Sequence, residues 1–375
     1  MFSGGYQNLG EGADTVIIMK KDATGEEIEN VVKEIKKHGL RADVSRGEFR
    51  TVIGIVGDER KAPFYTMALM PGVKEVRMIE TPYKLINREY SEAFAGQDKS
   101  HIIKVGRVAI GGDRPVYIAG PCAVESKAQI FRIAEEIKLA GASVLRGGIF
   151  KPRSSVHSFQ GLGAEGTEEA REALEWLHDA GQKFEMPVIT EVRGEGQVDL
   201  VAEYVDILQI GARNMYDQDL LAKAGRTGKP VLFKRHFGAS IEEFLSFSEY
   251  IAVEGNKDII LCERGELPIG KGKNLTRYTL DLSAVPVIQK ETYLPVVVDP
   301  SHATGRRDLI FSMSMAALAA GASGLAIEVH YNPAESWVDA QQAITPREFK
   351  AIVDMGDKIY KMVADENNRV KTGGG

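Results

Sequence analysis

Apolar residues recur along the chain at two periods, and the switches between them mark its elements. Residues 15–19, TVIIM, form a β-branched run that predicts a strand. Thr24 then precedes Glu27 at capping-box spacing, and Ile28, Val31, Val32 and Ile35 share one helical face before Gly39 ends it. Residues 40–45 (LRADVS) and 50–57 (RTVIGIVG) read as strands about a polar turn. Residues 61–70 (KAPFYTMALM) read as a short helix stopped by Pro71, and 73–79 (VKEVRMI) as a last strand. The order is βαββαβ.

That order matches the ferredoxin-like split motif, which often carries small regulatory or dimerising modules. Residues 1–80 are therefore expected to form one small domain, and 81–103 a linker with some helix. From 104 to 375 the pattern changes to apolar runs separated by helix-compatible stretches. The runs are 116–120, 143–148, 187–192, 207–212, 230–235, 258–264, 295–301 and 324–330, with helices such as 168–184 and 346–364 between them. Eight such strands make a (β/α)8 TIM barrel of the α/β class; an open doubly wound sheet is the alternative. RVAIGGDRP (107–115) is a short β pair that either plugs the bottom of the barrel or is a linker turn.

Composition narrows the class. With 375 residues, 43% hydrophobic and 27% charged, the chain can bury a sizeable core. Its net charge of −6 argues against general nucleic-acid or anionic-membrane binding, while leaving room for a local basic pocket. Two cysteines make no disulfide framework and suit a reducing compartment, and the N-terminal MFSGGYQNLGEGAD has no signal-like apolar core. A cytoplasmic protein is expected.

Chemically capable residues gather where the apolar runs end. The runs close in turn on Cys122, on Arg146 with Lys151 and Arg153, on Glu191, on Arg213, on Lys234 with Arg235 and His236, on Glu263 and Arg264, on Asp299 and His302, and on Glu328 and His330. If the strands close, these residues ring the mouth where barrel enzymes place their chemistry. Cys122, His302, Glu328 and Asp339 offer a thiolate, an imidazole and two carboxylates, a mixed set suited to Mn, Fe, Co or Zn better than to Mg or Ca. Taken singly, each has a plainer reading as a core thiol, a turn hydrogen bond, an ion pair or a cap; together at one mouth they favour a metal. Arg146, Lys151, Arg153, Arg213, Lys234 and Arg264 are six cations that ask for a small, multiply charged anion, since an idle cation on an apolar strand is costly to bury. The plainer reading is an ion-pair network. Cys262 keeps the reading of a core thiol.

GPCAVES, LRGGIFKPRSSVHSFQGLG, QIGARNM, CERGE, TLDLSAVPV, VDPSHATGRRD and GLAIEVHYNP occur here in one order. In this the chain resembles the 3-deoxy-D-arabino-heptulosonate-7-phosphate (DAHP) synthases, in the subgroup akin to the 3-deoxy-manno-octulosonate-8-phosphate synthases. The resemblance covers about 104–362, and residues 15–79 resemble the ferredoxin-like domain that mediates feedback inhibition by aromatic amino acids in some members. It implies the first step of the shikimate pathway, in which phosphoenolpyruvate and erythrose 4-phosphate give DAHP and inorganic phosphate. Carried over by motif, Cys122, His302, Glu328 and Asp339 hold a divalent metal ion. Arg146, Lys151, Arg213, Lys234 and Arg264 surround phosphoenolpyruvate, with Asp299 among the substrate groups. Arg153 and Ser154 receive the aldose phosphate, and Glu191 lies near the attacking water. Lys151, Glu191 and His302 are the implied catalytic groups, the proton carrier being left open among them and a metal-bound water.

Pro152 and Arg153 in KPRS favour the four-carbon aldose, since the octulosonate synthases carry a KANR-like segment there and take arabinose 5-phosphate. His236 and Phe237 stand where the family usually has glycine, and 266–274 (ELPIGKGKN) also departs; His236 either packs on its loop or contacts substrate. An octulosonate synthase and a non-catalytic sensor on the same barrel are the alternatives. A homo-oligomer, dimer or tetramer, is expected, because edge strands of such small domains pair readily.

Overall fold

The structure, a computed structural model, describes residues 15–46, 51–56, 63–78, 81–91, 93–97, 99–151, 157, 159–164, 167–268 and 275–372. Among the described residues no helix is long and apolar enough to cross a membrane. The chain divides into two compact units, Met1–Lys84 with Tyr90–Ala95, and Leu85–Glu89 with Gly96–Gly375.

In the first unit β1 (Thr15–Met19), α1 (Gly25–Lys37), β2 (Arg41–Arg46), β3 (Thr51–Val56), α2 (Phe64–Ala68) and β4 (Val73–Met78) follow the expected order. The sheet runs β2-β3-β1-β4, antiparallel throughout, which is the ferredoxin-like arrangement. The reciprocal box at the start of α1 is formed: the Glu27 N–H donates to Thr24 Oγ1 at 3.2 Å and the Thr24 N–H to Glu27 Oε2 at 2.7 Å. Ile28, Val31 and Ile35 then bury one face against Ile17, Met19, Ile53 and Ile55. β2 begins at Arg41, one residue later than expected, because Leu40 donates its N–H back to the Ile35 carbonyl and closes the helix before the strand begins.

In the second unit eight parallel strands close into a barrel: β7 (Val116–Gly120), β8 (Val144–Arg146), β9 (Val188–Val192), β10 (Ile207–Ile210), β11 (Val231–Lys234), β12 (Ile259–Glu263), β13 (Val296–Val298) and β14 (Gly324–Glu328). The closed ring removes every edge and excludes the open sheet. Before it, β5 (Ile103–Val105) and β6 (Val108–Ile110) form an antiparallel hairpin. Ile103, Val105 and Ile110 pack on Val116, Ile118, Val144, Ile189, Ile207, Leu232, Ile260, Cys262, Val297 and Ala326, so the hairpin does plug the barrel. Leu85–Glu89 also belongs to this unit: the Arg88 guanidinium donates to the carbonyls of Gln97, Lys99, Gln289 and Thr292.

The plug also fixes the parity of the interior. Ile118, Val144, Ile189, Ile207, Leu232, Cys262, Val297 and Ala326 point inward at the bottom. Since side chains alternate along a strand, the next inward positions are Gly120, Arg146, Glu191, Gln209, Lys234, Arg264, Asp299 and Glu328. One step along six of these strands turns a hydrocarbon core to charge, the exceptions being Gly120 and Gln209.

Candidate active site

The metal-ligand candidates meet. One donor atom from each of Cys122, His302, Glu328 and Asp339 lies within 4.8 Å of the others. Cys122 comes from the turn after β7, Glu328 is the last residue of β14, and His302 sits in the one-turn helix α9 (Pro300–Thr304). Asp339, from the loop beyond β14, holds a left-handed φ of 53°, a conformation that costs a residue with a Cβ about 1 kcal/mol or more. Its Oδ2 stands 3.5 Å from Cys122 Sγ. Burial, and then the charge of Glu328, push the Cys122 thiol well up from its ordinary range. Burial would also raise the Glu328 carboxyl, but His302, Arg146 and Lys151 outweigh it and hold it well below. The set fits a borderline ion, which would take the thiolate and neutralise the cluster.

A supporting layer orients these groups. Asp299 caps α9, accepting the His302 N–H at 2.9 Å, and its Oδ2 lies 2.7 Å from His302 Nδ1. That leaves His302 Nε2 facing Glu328 Oε1 at 3.1 Å. Lys234 Nζ donates to the same Asp299 oxygen at 2.6 Å. The structure thus places Asp299, fully buried, behind His302 and Lys234 as their orienter. Glu328 is fixed twice more, accepting from Gln342 Nε2 at 2.7 Å and donating its N–H to Ser301 Oγ at 3.0 Å.

The cations separate into three kinds. Arg146, 5% exposed, reaches Glu328 Oε1 with Nη2 at 3.4 Å, while its buried Nη1 has no hydrogen-bond partner among the described residues. Lys151 donates to the Cys122 carbonyl at 2.9 Å; burial opposes its charge, but Cys122 in its thiolate form, Glu191 and Glu328 outweigh that and move its pKa upward. Gly148 makes room for this, since a Cβ there would meet the Cys122 carbonyl at 2.6 Å and Lys151 Cδ at 2.8 Å. Lys234 is committed to Asp299, whereas Arg264 stacks over Tyr278 at 4.6 Å and Arg213 stands exposed on its 3-10 turn. Arg235 is saturated by Glu263, Asp281 and Glu266, so it is a structural cation beside the ring.

Glu191 completes the mouth. Its Oε2 accepts from Gln209 Nε2 at 2.9 Å, and a Cβ on Gly211 would meet its Oε1 at 2.1 Å. His236 packs its ring on Phe237 and against Tyr216, at centroid distances of 4.0 and 5.2 Å, and accepts the Gly238 N–H on Nδ1. These contacts are those of a ring packed on its own loop. Arg153 and Ser154, with Pro152 and Ser155 beside them, lie outside the described residues, as do 269–274 of the departing loop. Sequence reasoning missed Gln209, Gln342 and Ser301. The inward parity of β10 would have exposed Gln209, the one polar residue in the apolar run ILQI; Ser301 lies within the segment VDPSHATGRRD, and nothing in the sequence marks Gln342.

Comparison with known proteins identifies the family. Residues 91–364 match the model of the DAHP synthetase I family, and residues 16–81 that of the DAHP synthase ferredoxin-like domain. The phospho-2-dehydro-3-deoxyheptonate aldolase of Thermotoga maritima is 44% identical over 92% of this chain and 97% of its own length. Its crystal structure superposes with a TM-score of 0.70, at 43% identity, covering 93% of this chain and 97% of that one. The 2-dehydro-3-deoxyphosphooctonate aldolase of Nitrobacter winogradskyi is 31% identical over 68% of this chain and 91% of its own length. With one family model spanning 91–364, another spanning 16–81, and a relative 44% identical across nearly its full length, the chain belongs to the DAHP synthase family.

Proposed function

We propose that the barrel mouth condenses phosphoenolpyruvate with erythrose 4-phosphate to give DAHP and inorganic phosphate, using a divalent ion of the Mn, Fe, Co or Zn class held by Cys122, His302, Glu328 and Asp339. The observation that carries this reading is Arg146. A buried guanidinium nitrogen that has no hydrogen-bond partner among the described residues, on a side chain paired to Glu328 of the four-donor cluster, calls for a small anion at that spot.

The bond to be made joins C3 of the enol to the aldehyde carbon; water then adds at C2 and the C2–O bond to phosphate breaks. The ion, when bound, supplies a Lewis acid for the aldehyde oxygen. The protein's own groups do the rest. Arg146 and Lys151 hold phosphoenolpyruvate with its charge matched, buried Arg264 adds to that field and exposed Arg213 extends it toward solvent, and Lys234 buttresses Asp299 and through it His302. Glu191, steadied by Gln209, is the carboxylate placed to take the proton from the incoming water. His302 and Lys151 are the other candidate proton carriers. Arg153 and Ser154 are assigned to the aldose phosphate by motif alone.

The N-terminal unit is read as a regulatory module for an aromatic amino acid, tyrosine or phenylalanine, and the whole as a homodimer or homotetramer. The octulosonate reading is disfavoured by the lower identity of those relatives and the smaller share of this chain that they cover, and an inactive sensor by the four-donor group at the mouth. The test is phosphate release from phosphoenolpyruvate with erythrose 4-phosphate, lost on chelation and restored by Mn or Co. Release with arabinose 5-phosphate only, or none with either aldose, would overturn the assignment. Chelation without effect would remove the metal.

A further inference from the structure

We propose that Glu125 is a positioning residue for the metal centre, a clamp that sets the separation of Cys122 and Asp339; the inference rests on the metal reading above and deepens it. Cys122 and Asp339 come from loops far apart in sequence. Glu125 stands three residues past Cys122, its side chain 8% exposed, and does not belong to the donor cluster. Its Oε1 accepts the backbone N–H of Trp337 at 2.8 Å, two residues before Asp339. Its Oε2 lies 4.0 Å from His330 Nε2, at the base of that same loop.

The backbone that carries the carboxylate is itself held. The Glu125 N–H donates to Gln129 Oε1 at 3.3 Å, and Gln129 Nε2 returns to the Ala123 carbonyl at 3.1 Å. Between the clamp and the ligands, Val338 packs on Cys122 and Ala123. Asp339 needs such an anchor because its φ of 53° is one that the free loop would abandon. A charged acceptor on a backbone N–H is among the stronger hydrogen bonds, and it keeps Asp339 turned toward the thiol. Pulling Trp337 away would let Asp339 relax and would cost affinity without removing any ligand.

The experiment titrates full-length protein with Co(II), following the cobalt–thiolate absorption and, independently, equilibrium dialysis, for the natural protein, Glu125→Ala, Glu125→Gln and Asp339→Asn. Glu125→Ala is expected to weaken binding by about tenfold, the loss typical of a group that orients a ligand, with the thiolate absorption still reached at saturation. Glu125→Gln keeps an oxygen for the Trp337 N–H and should stay near the natural protein, which also guards against misfolding of the alanine variant. Glu125→Ala binding as tightly as the natural protein while Asp339→Asn loses affinity would overturn the clamp alone. So would a glutamine variant as weak as the alanine one. No binding by the natural protein would overturn the metal reading and the clamp with it, and full affinity in Asp339→Asn would remove Asp339 from the ligand set and so overturn the clamp.

Discussion

Arg146→Lys separates the two jobs of one side chain. The arginine pairs with buried Glu328 through Nη2 at 3.4 Å, and its Nη1 has no partner among the described residues. Lysine restores a positive charge beside Glu328 but has no fork, so it cannot serve the carboxylate and a substrate anion together. A hydrogen bond to a charged group is worth about 1.5–3 kcal/mol net, and each 1.4 kcal/mol is tenfold, so KM for phosphoenolpyruvate should rise by roughly 10- to 150-fold. The melting temperature should hardly move. Arg146→Met is the control: removing the cation from a fully buried pair costs about 3–5 kcal/mol and should depress the melting temperature by several degrees. The assay is initial-rate phosphate release over a range of phosphoenolpyruvate concentrations with erythrose 4-phosphate saturating, beside a thermal melt. An unchanged KM in Arg146→Lys would refute the anion-binding role and return this residue to a plain ion pair.

Cys122→Ser should weaken metal binding and abolish most turnover while the melt stays near that of the natural protein; retained activity would make the thiol a packing residue. In Gly211→Ala the backbone suits alanine, at φ −69°, but the new Cβ lands 2.1 Å from Glu191 Oε1, so kcat should fall about a hundredfold with little loss of stability. Arg235→Gln, by contrast, should cost about 3–5 kcal/mol of stability by stranding Glu263, with KM unchanged for the folded fraction. Burial opposes the ionisation of Asp281, but Ser283 and Arg235 outweigh it and hold its carboxyl below the ordinary range. Its contribution is therefore present above the unfolded value near pH 4 and is lost as pH falls below that, so Asp281→Asn should flatten this part of the acid melting profile.

The strands were legible because a parallel barrel buries both faces, leaving runs such as VYIAG and IILCE unbroken, and because its chemistry gathers where those runs end. The four ligand candidates could be grouped for the same reason. What stayed hidden depends on direction. Asp299 has the composition of a substrate group, and only the turn of α9 shows that both its oxygens face His302. Arg235 adjoins Lys234 in sequence, yet alternation sends it outward to Glu263 and Asp281. Gln342 and Glu125 act across loops, where no periodicity operates.

The hairpin beneath the strands sets the phase of the whole mouth. With hydrocarbon fixed at the floor, every strand behaves as a stave that lifts one side chain to a common height. A substitution at the top of one stave can retune reactivity while the other seven keep their places. A one-residue insertion between floor and rim would instead trade that stave's inner residue for its outer one. Variation that preserves strand length can therefore explore new substrates on this scaffold, whereas slippage within a strand loses the ring and the core together.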